Sequence, residues 1–400
     1  MAPDAAFGDR LRAALRAALG AAVAVALAAS AFGPARAAGP EVVRIGVATA
    51  GGGDPITWGG SPGGVARAFG WLEEAFAGSS TRVEWLFFKG AGPAVNEALS
   101  NKQIDFAYHG DLPSLVGRSN GLKTKLLLSS GQRNNLYVVV PPDSEIRSVS
   151  ELKGRTVSIF RGTNGHLVAN RILAEVGLRE RDLKGVNLDT GSAQAALVSK
   201  GVDAAFGGYE YFKLRDQGLA KIIYSTQGQD PKLTRQAHLH AREAFIAEHP
   251  ETVQRIVDVF VRAANWASDE TNRDELFRIW ARSGVPQASF AAEFENQSLA
   301  VRNSPLLDDF IIARYRAVVR DAQDLKLIRR DVTIEDWIDR RFLTAALKKQ
   351  GLESRWTPHD ADGRPQAATP QAANGATVDA VAAAAAGSGA GGARSEASAR

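Results

Sequence analysis

Short apolar runs bounded by turn residues alternate along this chain with stretches whose apolar side chains recur every three or four positions. The first pattern predicts strands and the second helices. Val42–Val47 reads as a short buried strand, and 65–76 as a helix with Phe69, Leu72 and Phe76 on one face. A strand over 83–88, a helix over 94–99 and a strand over 104–108 follow, and strands over 125–129 and 136–140 extend the series, each expected to lie parallel to an earlier one. After Pro141-Pro142 a second series begins: a strand over 156–160, a helix over 166–176 closed by Gly177, a strand over 186–188, a helix over 193–199, then strands over 204–206 and 222–224. From Pro250 onward the pattern is mainly helical, and Val253, Ile256, Val257, Phe260 and Ala264 form one apolar stripe. The fold class is therefore α/β, with two lobes and a helical C-terminal part.

Both ends fall outside this pattern. Arg10, Arg12 and Arg16 precede an uncharged run over 19–33 and the small-residue triplet Ala35-Arg36-Ala37, which is the layout of a secretory signal peptide over 1–37. The apolar run falls short of the ~20 residues that span a bilayer, so cleavage and export are expected. From 363 to 400 there are no aromatic residues and no periodic apolar face, and a disordered tail is expected there.

Composition narrows the chemistry. With 45% hydrophobic and 23% charged residues in 400, wholesale disorder is excluded. There is no cysteine, which removes disulfides, thiolate metal sites and a cysteine nucleophile. A net charge of +4, from 48 basic and 44 acidic residues spread along the chain, leaves no nucleic-acid footprint. Neither a Gly-x-Gly-x-x-Gly fingerprint in the glycine-rich segment 46–64 nor a P-loop occurs, so no nucleotide cofactor is expected. His238-x-His240 places two imidazoles on one face of a strand, but no further ligands accompany them, so a structural role is expected and no metal.

Several segments together carry a family resemblance. They are Lys89-Gly90-Ala91-Gly92-Pro93 through Glu97-Ala98-Leu99, Ile104-Asp105-Phe106-Ala107-Tyr108-His109-Gly110-Asp111-Leu112-Pro113, Ser148-Val149-Ser150-Glu151-Leu152-Lys153-Gly154-Arg155-Thr156-Val157, Gly201-Val202-Asp203-Ala204, and Ala244-Phe245 with His249-Pro250-Glu251. In this order, across 42–345, the chain resembles ABC-transporter periplasmic substrate-binding proteins of the aliphatic sulfonate, taurine and nitrate group. The resemblance implies a bilobed type II periplasmic binding protein with two hinge crossovers, near 137–140 and 237–241. Lobe 1 is expected over 41–138 plus 239–350, with the C-terminal helices, and lobe 2 over 139–238. It further implies a periplasmic monomer without cofactor that captures a small organic anion, a sulfonate or related oxyanion, and delivers it to an ABC permease in the inner membrane. The scaffold also resembles that of sulfinate desulfinases and of thiamine pyrimidine synthases, but both depend on cysteine, so catalysis is not expected. A non-cysteine enzyme on this scaffold, or a module feeding a sensor, is the alternative.

Sites in open α/β sheets form at the carboxyl ends of strands, where helix N-termini favour anions. The strand-to-helix turn Arg161-Gly162-Thr163-Asn164-Gly165-His166 offers free N–H groups and a hydroxyl, although Thr163 or Asn164 serves equally as a helix cap. The resemblance places His109, Gly110 and Asp111 on the cleft, with the Gly110 and Asp111 N–H groups as contacts; Gln132 and Arg133, which follow the strand ending at Ser129, are within reach of the same mouth. Where the family carries a tryptophan-containing loop, this chain reads Phe206-Gly207-Gly208-Tyr209-Glu210-Tyr211. Tyr209 suits an organic group, and Glu210 repels a sulfonate or recognises an amine. The glycine-rich insert 50–64 reads equally as a cover over the cleft, anchored by Trp58, and as a flexible surface loop.

Overall fold

The computed structural model describes residues 39–366. The leader expected over 1–37 and the tail beyond 366 lie outside that range. The first residues of the expected tail do not: Gly363 to Gln366 fold back on the preceding turn through Asp360 N–H to Arg364 O (2.9 Å) and Gln366 N–H to Pro358 O (2.8 Å). Arg133 Nη2 donates to the Gly363 carbonyl at 3.2 Å, so this segment has a surface to pack on.

Two five-stranded sheets form the frame. Strands β1 (Val42–Val47), β2 (Arg82–Phe87), β3 (Phe106–Gly110) and β4 (Thr124–Ser129) make the first, with β5 (Tyr137–Val140), β6 (Thr156–Ser158), β7 (Lys184–Val186), β8 (Ala204–Gly207) and β9 (Lys221–Ser225) making the second. Strand β10 (Ala237–Arg242) returns to the first, giving the orders β2-β1-β3-β10-β4 and β7-β6-β8-β5-β9. The expectation of parallel pairing throughout fails at β5 and β10. Strand β5 runs antiparallel to β8 and β9, and β10 antiparallel to β3 and β4. The cause is the route of the chain. The other strands end at the cleft, whereas β5 and β10 are each the first strand after a crossover, so they start at the cleft and run away from it.

The crossovers lie at 130–136 and 226–236, just ahead of the strands at 137–140 and 237–242 where the resemblance implies them. They pair with each other as an antiparallel ribbon, with Asn134 N–H to Arg235 O at 2.9 Å and Arg235 N–H to Asn134 O at 2.8 Å. The chain passes from one sheet to the other and back as these two strands of backbone, which is the geometry of a hinge.

The single helix expected over 65–76 is two, Pro62–Ala68 and Trp71–Ala75, broken at Gly70, whose φ of +66° no helix interior accepts. The predicted stripe on Pro250–Ala267 is buried, from Val253 to Ala264, against the first sheet's core. The helix Gln287–Glu293 instead reaches the second sheet: its Ala292 packs on the buried cluster that contains Tyr137, Tyr211 and Phe212, and Gln227 Nε2 donates to the Ala292 carbonyl at 2.8 Å.

Candidate functional site

Because strands end at the cleft, the helices that follow them begin there. The helices Pro62–Ala68, Ala91–Ser100, Asp111–Ser119 and Asn164–Glu175 all start on one cavity of about 180 Å³ between the sheets. The first turn of a helix has N–H groups without intrahelical acceptors and carries positive dipole density. Side chains usually satisfy them, but here the N-cap residues Ser61, Gly90, Gly110 and Thr163 make no side-chain capping bond. A fifth helix at the cleft, Thr190–Val198, is capped: Asp189 accepts from the Gly191 and Ser192 N–H groups. At Asp111–Ser119 the Asp111 carboxylate nevertheless accepts from the Leu112 N–H at 2.8 Å, which leaves three uncapped N-termini around one cavity, an arrangement that favours an anion.

A guanidinium joins them. Arg235, in the second crossover, lines this cavity and an adjoining one of about 290 Å³, and is held by two bonds to the Asn135 carbonyl, from Nε (3.1 Å) and Nη2 (2.7 Å). Sequence reasoning missed it, because no local motif marks an arginine in a crossover; its one signal is a charge immediately before the buried strand of His238. Across Gly208 from it lies Glu210. A Cβ at Gly208 would stand 2.5 Å from Glu210 Oε2 and 2.7 Å from Arg235 Nη2, so a larger residue there would displace one of the two side-chain ends. Glu210 lines both cavities and a third of about 500 Å³, and its carboxylate makes no ion pair within 4 Å among the described residues. The cleft thus pairs a positive end with one unneutralised carboxylate.

The predicted residues divide. Trp58, Gly110, Thr163, Asn164, Tyr209 and Glu210 come together around the cavity. Trp58 is not a lid. It is buried in the first core against Trp85 and Tyr108, ring centroids 5.5 and 5.3 Å away, with Nε1 donating to Ser61 Oγ at 2.9 Å, and it forms part of the cavity wall. Tyr209 closes the cleft from the second lobe, donating to the Gly59 carbonyl at 3.2 Å. Asn164 does the same through Nδ2 to the Gln236 carbonyl at 3.3 Å.

The others point elsewhere. Arg161 Nε and His166 Nε2 both bind Glu180, at 2.6 and 2.7 Å, and the Gly162 N–H donates to His166 Nδ1 at 3.3 Å. The hydrogen bond from His166, with Arg161 beside it, holds the Glu180 carboxyl down at about 2, so this cluster neutralises itself outside the cavity. Asp111 cannot offer its N–H, which donates to the Gln236 carbonyl at 3.2 Å. Gln132 is buried behind the cleft, its Nε2 on the Ser304 carbonyl at 2.9 Å. His109 lines the cavity, but its imidazole packs edge-on against His240 at 5.1 Å, and burial lowers its pKa to about 3, so it stays neutral. No group of three or more His, Asp or Glu among the described residues is placed to hold a metal ion.

Thr163 Oγ1 donates to the Phe160 carbonyl at 2.7 Å, so its proton is not available to a ligand. Thr163→Ala is therefore expected to cost about 1 kcal/mol of stability and to leave anion affinity within about threefold of the parent. Melting and calorimetry on the same samples check this; a tenfold affinity loss would show that the hydroxyl turns to the ligand.

Comparison with known proteins bears on the fold and on what it carries. A family model described as NMT1/THI5 like matches residues 86–272. A Bacillus subtilis protein named for aliphatic sulfonate binding is 26% identical over 288 residues, covering 71% of this chain and 84% of the relative. The crystal structure of the periplasmic sulfonate-binding protein SsuA of a sulfonate ABC transporter from Methylobacillus flagellatus shares 30% identity, covers 80% of this chain and 97% of its own, and superposes with a TM-score of 0.68. The desulfurization enzyme DszB has the same fold at 18% identity, with a TM-score of 0.58 over 78% of this chain and all of its own. The scaffold therefore carries both binding proteins and enzymes, and the relatives at higher identity are binding proteins.

Proposed function

This chain belongs to the NMT1/THI5-like family, within its group of periplasmic substrate-binding proteins, and from that premise we propose that it captures a small organic anion, a sulfonate or related oxyanion, between its lobes and delivers it to an ABC permease outside the cytoplasm. The observation that carries the reading is the convergence of three uncapped helix N-termini and the Arg235 guanidinium on one interlobe cavity. The anionic head group sits against these N–H donors, where the bonds are charge-assisted. Tyr209 and Trp58 supply the apolar wall for the organic part. Calorimetric titration with ethanesulfonate and related anions tests it. One-to-one binding with the ligand recovered unchanged after prolonged incubation is expected, and consumption of the ligand would instead make the protein an enzyme.

Closure of the lobes completes the site. Gly110 in the first lobe lies so close to Asn164 in the second that a Cβ there would stand 2.7 Å from its side chain. Gly110→Ala is expected to hold the cleft open: X-ray scattering of the variant with saturating ethanesulfonate should keep the larger radius of the unliganded protein. Compaction equal to that of the parent would show that the lobes meet elsewhere.

Glu210 tunes which anions are accepted. A carboxylate about 5 Å from a bound sulfonate opposes it by roughly 3 kcal/mol at an effective dielectric of 20, and attracts an ammonium by as much. Glu210→Gln is expected to raise affinity for ethanesulfonate and lower it for 2-aminoethanesulfonate, changing their ratio by at least about tenfold. An unchanged ratio would place Glu210 outside the ligand's reach.

A further inference from the structure

The most deeply buried ion pair in the described chain lies behind the cleft, not in it. Glu293, at the end of helix Gln287–Glu293, and Arg302 are 2.9 Å apart with side chains 0% and 2% exposed. A buried ion pair is a weak source of stability, because desolvation offsets its attraction. Its bonds show another use. Glu293 Oε1 accepts from the Asn135 N–H at 3.1 Å and from Asn135 Nδ2 at 3.0 Å, and Oε2 accepts from Tyr137 Oη at 2.6 Å. Arg302 donates to the Gln132 carbonyl at 2.8 Å and to Asn134 Oδ1 at 3.0 Å. Every one of these crossover partners belongs to 132–137, in or directly after the first crossover. The carbonyl of the same Asn135 is what holds the Arg235 guanidinium by two bonds. The helix also places Phe290 against Tyr209, ring centroids 5.0 Å apart.

We propose that Glu293 is a positioning residue for the anion site: anchored by Arg302, it fixes the Asn135 backbone, which in turn aims Arg235 into the cleft. The helix Gln287–Glu293 thus orients a second ligand-facing group besides Tyr209, although none of its own residues lines the 180 Å³ cavity. The effect on affinity rests on the reading of the cleft as an anion site, whereas the effect on Arg235 does not.

The test therefore has two readouts. In ¹⁵N-labelled protein, the Arg235 Nε–H resonance, identified by its loss in Arg235→Lys, should be ordered in the parent and mobile in Glu293→Gln. In calorimetry, Glu293→Gln should weaken ethanesulfonate binding by at least about threefold, and should have no further effect in an Arg235→Ala background. An Arg235 Nε–H that stays as ordered as in the parent overturns the proposal, as does an equal affinity loss in both backgrounds. Failure of the parent to bind ethanesulfonate counts against the anion site alone, and the resonance still decides on the relay. If Glu293→Gln does not fold, Glu293→Gln with Arg302→Gln removes both charges together and leaves no unpaired buried ion; the same readouts apply to it.

Discussion

Arg235→Ala is expected to weaken ethanesulfonate binding by about tenfold to a hundredfold, since a hydrogen bond to a charged group contributes roughly 1.5–3 kcal/mol. Among the described residues no other guanidinium lines the 180 Å³ cavity, so none of them takes over its role. Lys89, which lines the adjoining cavity, is a poor substitute. Its Nζ lies 3.6 Å from Asp189 with the side chain 71% exposed, and water screens a charge so placed. Arg235→Lys should fall between parent and alanine variant, keeping the charge but losing the fork that grips the Asn135 carbonyl. Because the alanine variant also frees that carbonyl, melting of the unliganded proteins has to accompany calorimetry. An Arg235→Ala variant that binds ethanesulfonate as the parent does would leave the helix N-termini as the sole source of anion affinity.

The second large effect is acid unfolding. His109, His238 and His240 form one buried layer between β3, β10 and the helices above them, with ring centroids 5.1 Å apart for His109 and His240 and 6.2 Å for His238 and His240. His238 Nδ1 meets Tyr315 Oη at 2.8 Å and His240 Nε2 meets Ser114 Oγ at 3.1 Å, while His109 Nδ1, His238 Nε2 and His240 Nδ1 are buried without partners among the described residues. Burial lowers His109 and His238 to about 3 and His240 well below its ordinary value; His109 further disfavours charge on His238 and His240, and His238 on His240. In the unfolded chain these rings titrate near 6.5. Their contribution is therefore complete above about pH 6.5 and is lost as pH falls towards 3, at up to about 1.4 kcal/mol per pH unit for each ring. Asp111 works in the opposite sense: burial raises its carboxyl to about 6, so the fold holds a proton there that the unfolded chain releases, which offsets part of the loss between pH 6 and 4. Arg118, on the helix facing this layer, adds a further positive charge that disfavours protonation of His240. Denaturant unfolding from pH 7 to 4 should show stability falling with a net uptake of more than one proton on unfolding. A flat profile would mean that the three rings are solvated.

How much of this was legible in the sequence depends on whether the deciding partner is local. The apolar runs mark nearly every strand, and the turn before Asn164 reads correctly as a helix start, because hydrophobic period and turn chemistry act within a few residues. The direction of β5 and β10 is not local, since it follows from which side of a sheet the chain enters. The same limit governs the site. Arg161 and His166 carry the right chemistry at the right turn, but Glu180 lies 19 and 14 residues further on and takes both of them. Asp111 loses its N–H to Gln236, more than a hundred residues away, for the same reason. Arg235 shows the converse: it stands in no motif, and only the pairing of the two crossovers brings it to the cavity. Trp58 sits in a segment so rich in glycine that a cover over the cleft or a flexible surface loop is the natural reading. Its aromatic contacts with Trp85, Phe87 and Tyr108, on strands β2 and β3, draw it into the core instead.

The crystal structure of the protein grown with ethanesulfonate tests the central claim most directly. The sulfonate oxygens should lie at hydrogen-bond distance, about 2.7–3.2 Å, from Arg235 and from first-turn N–H groups of the helices that begin at the cavity, including the one that starts at Asn164. A sulfonate bound outside the interlobe cleft, or within it but away from Arg235 and the helix N-termini, would contradict the account.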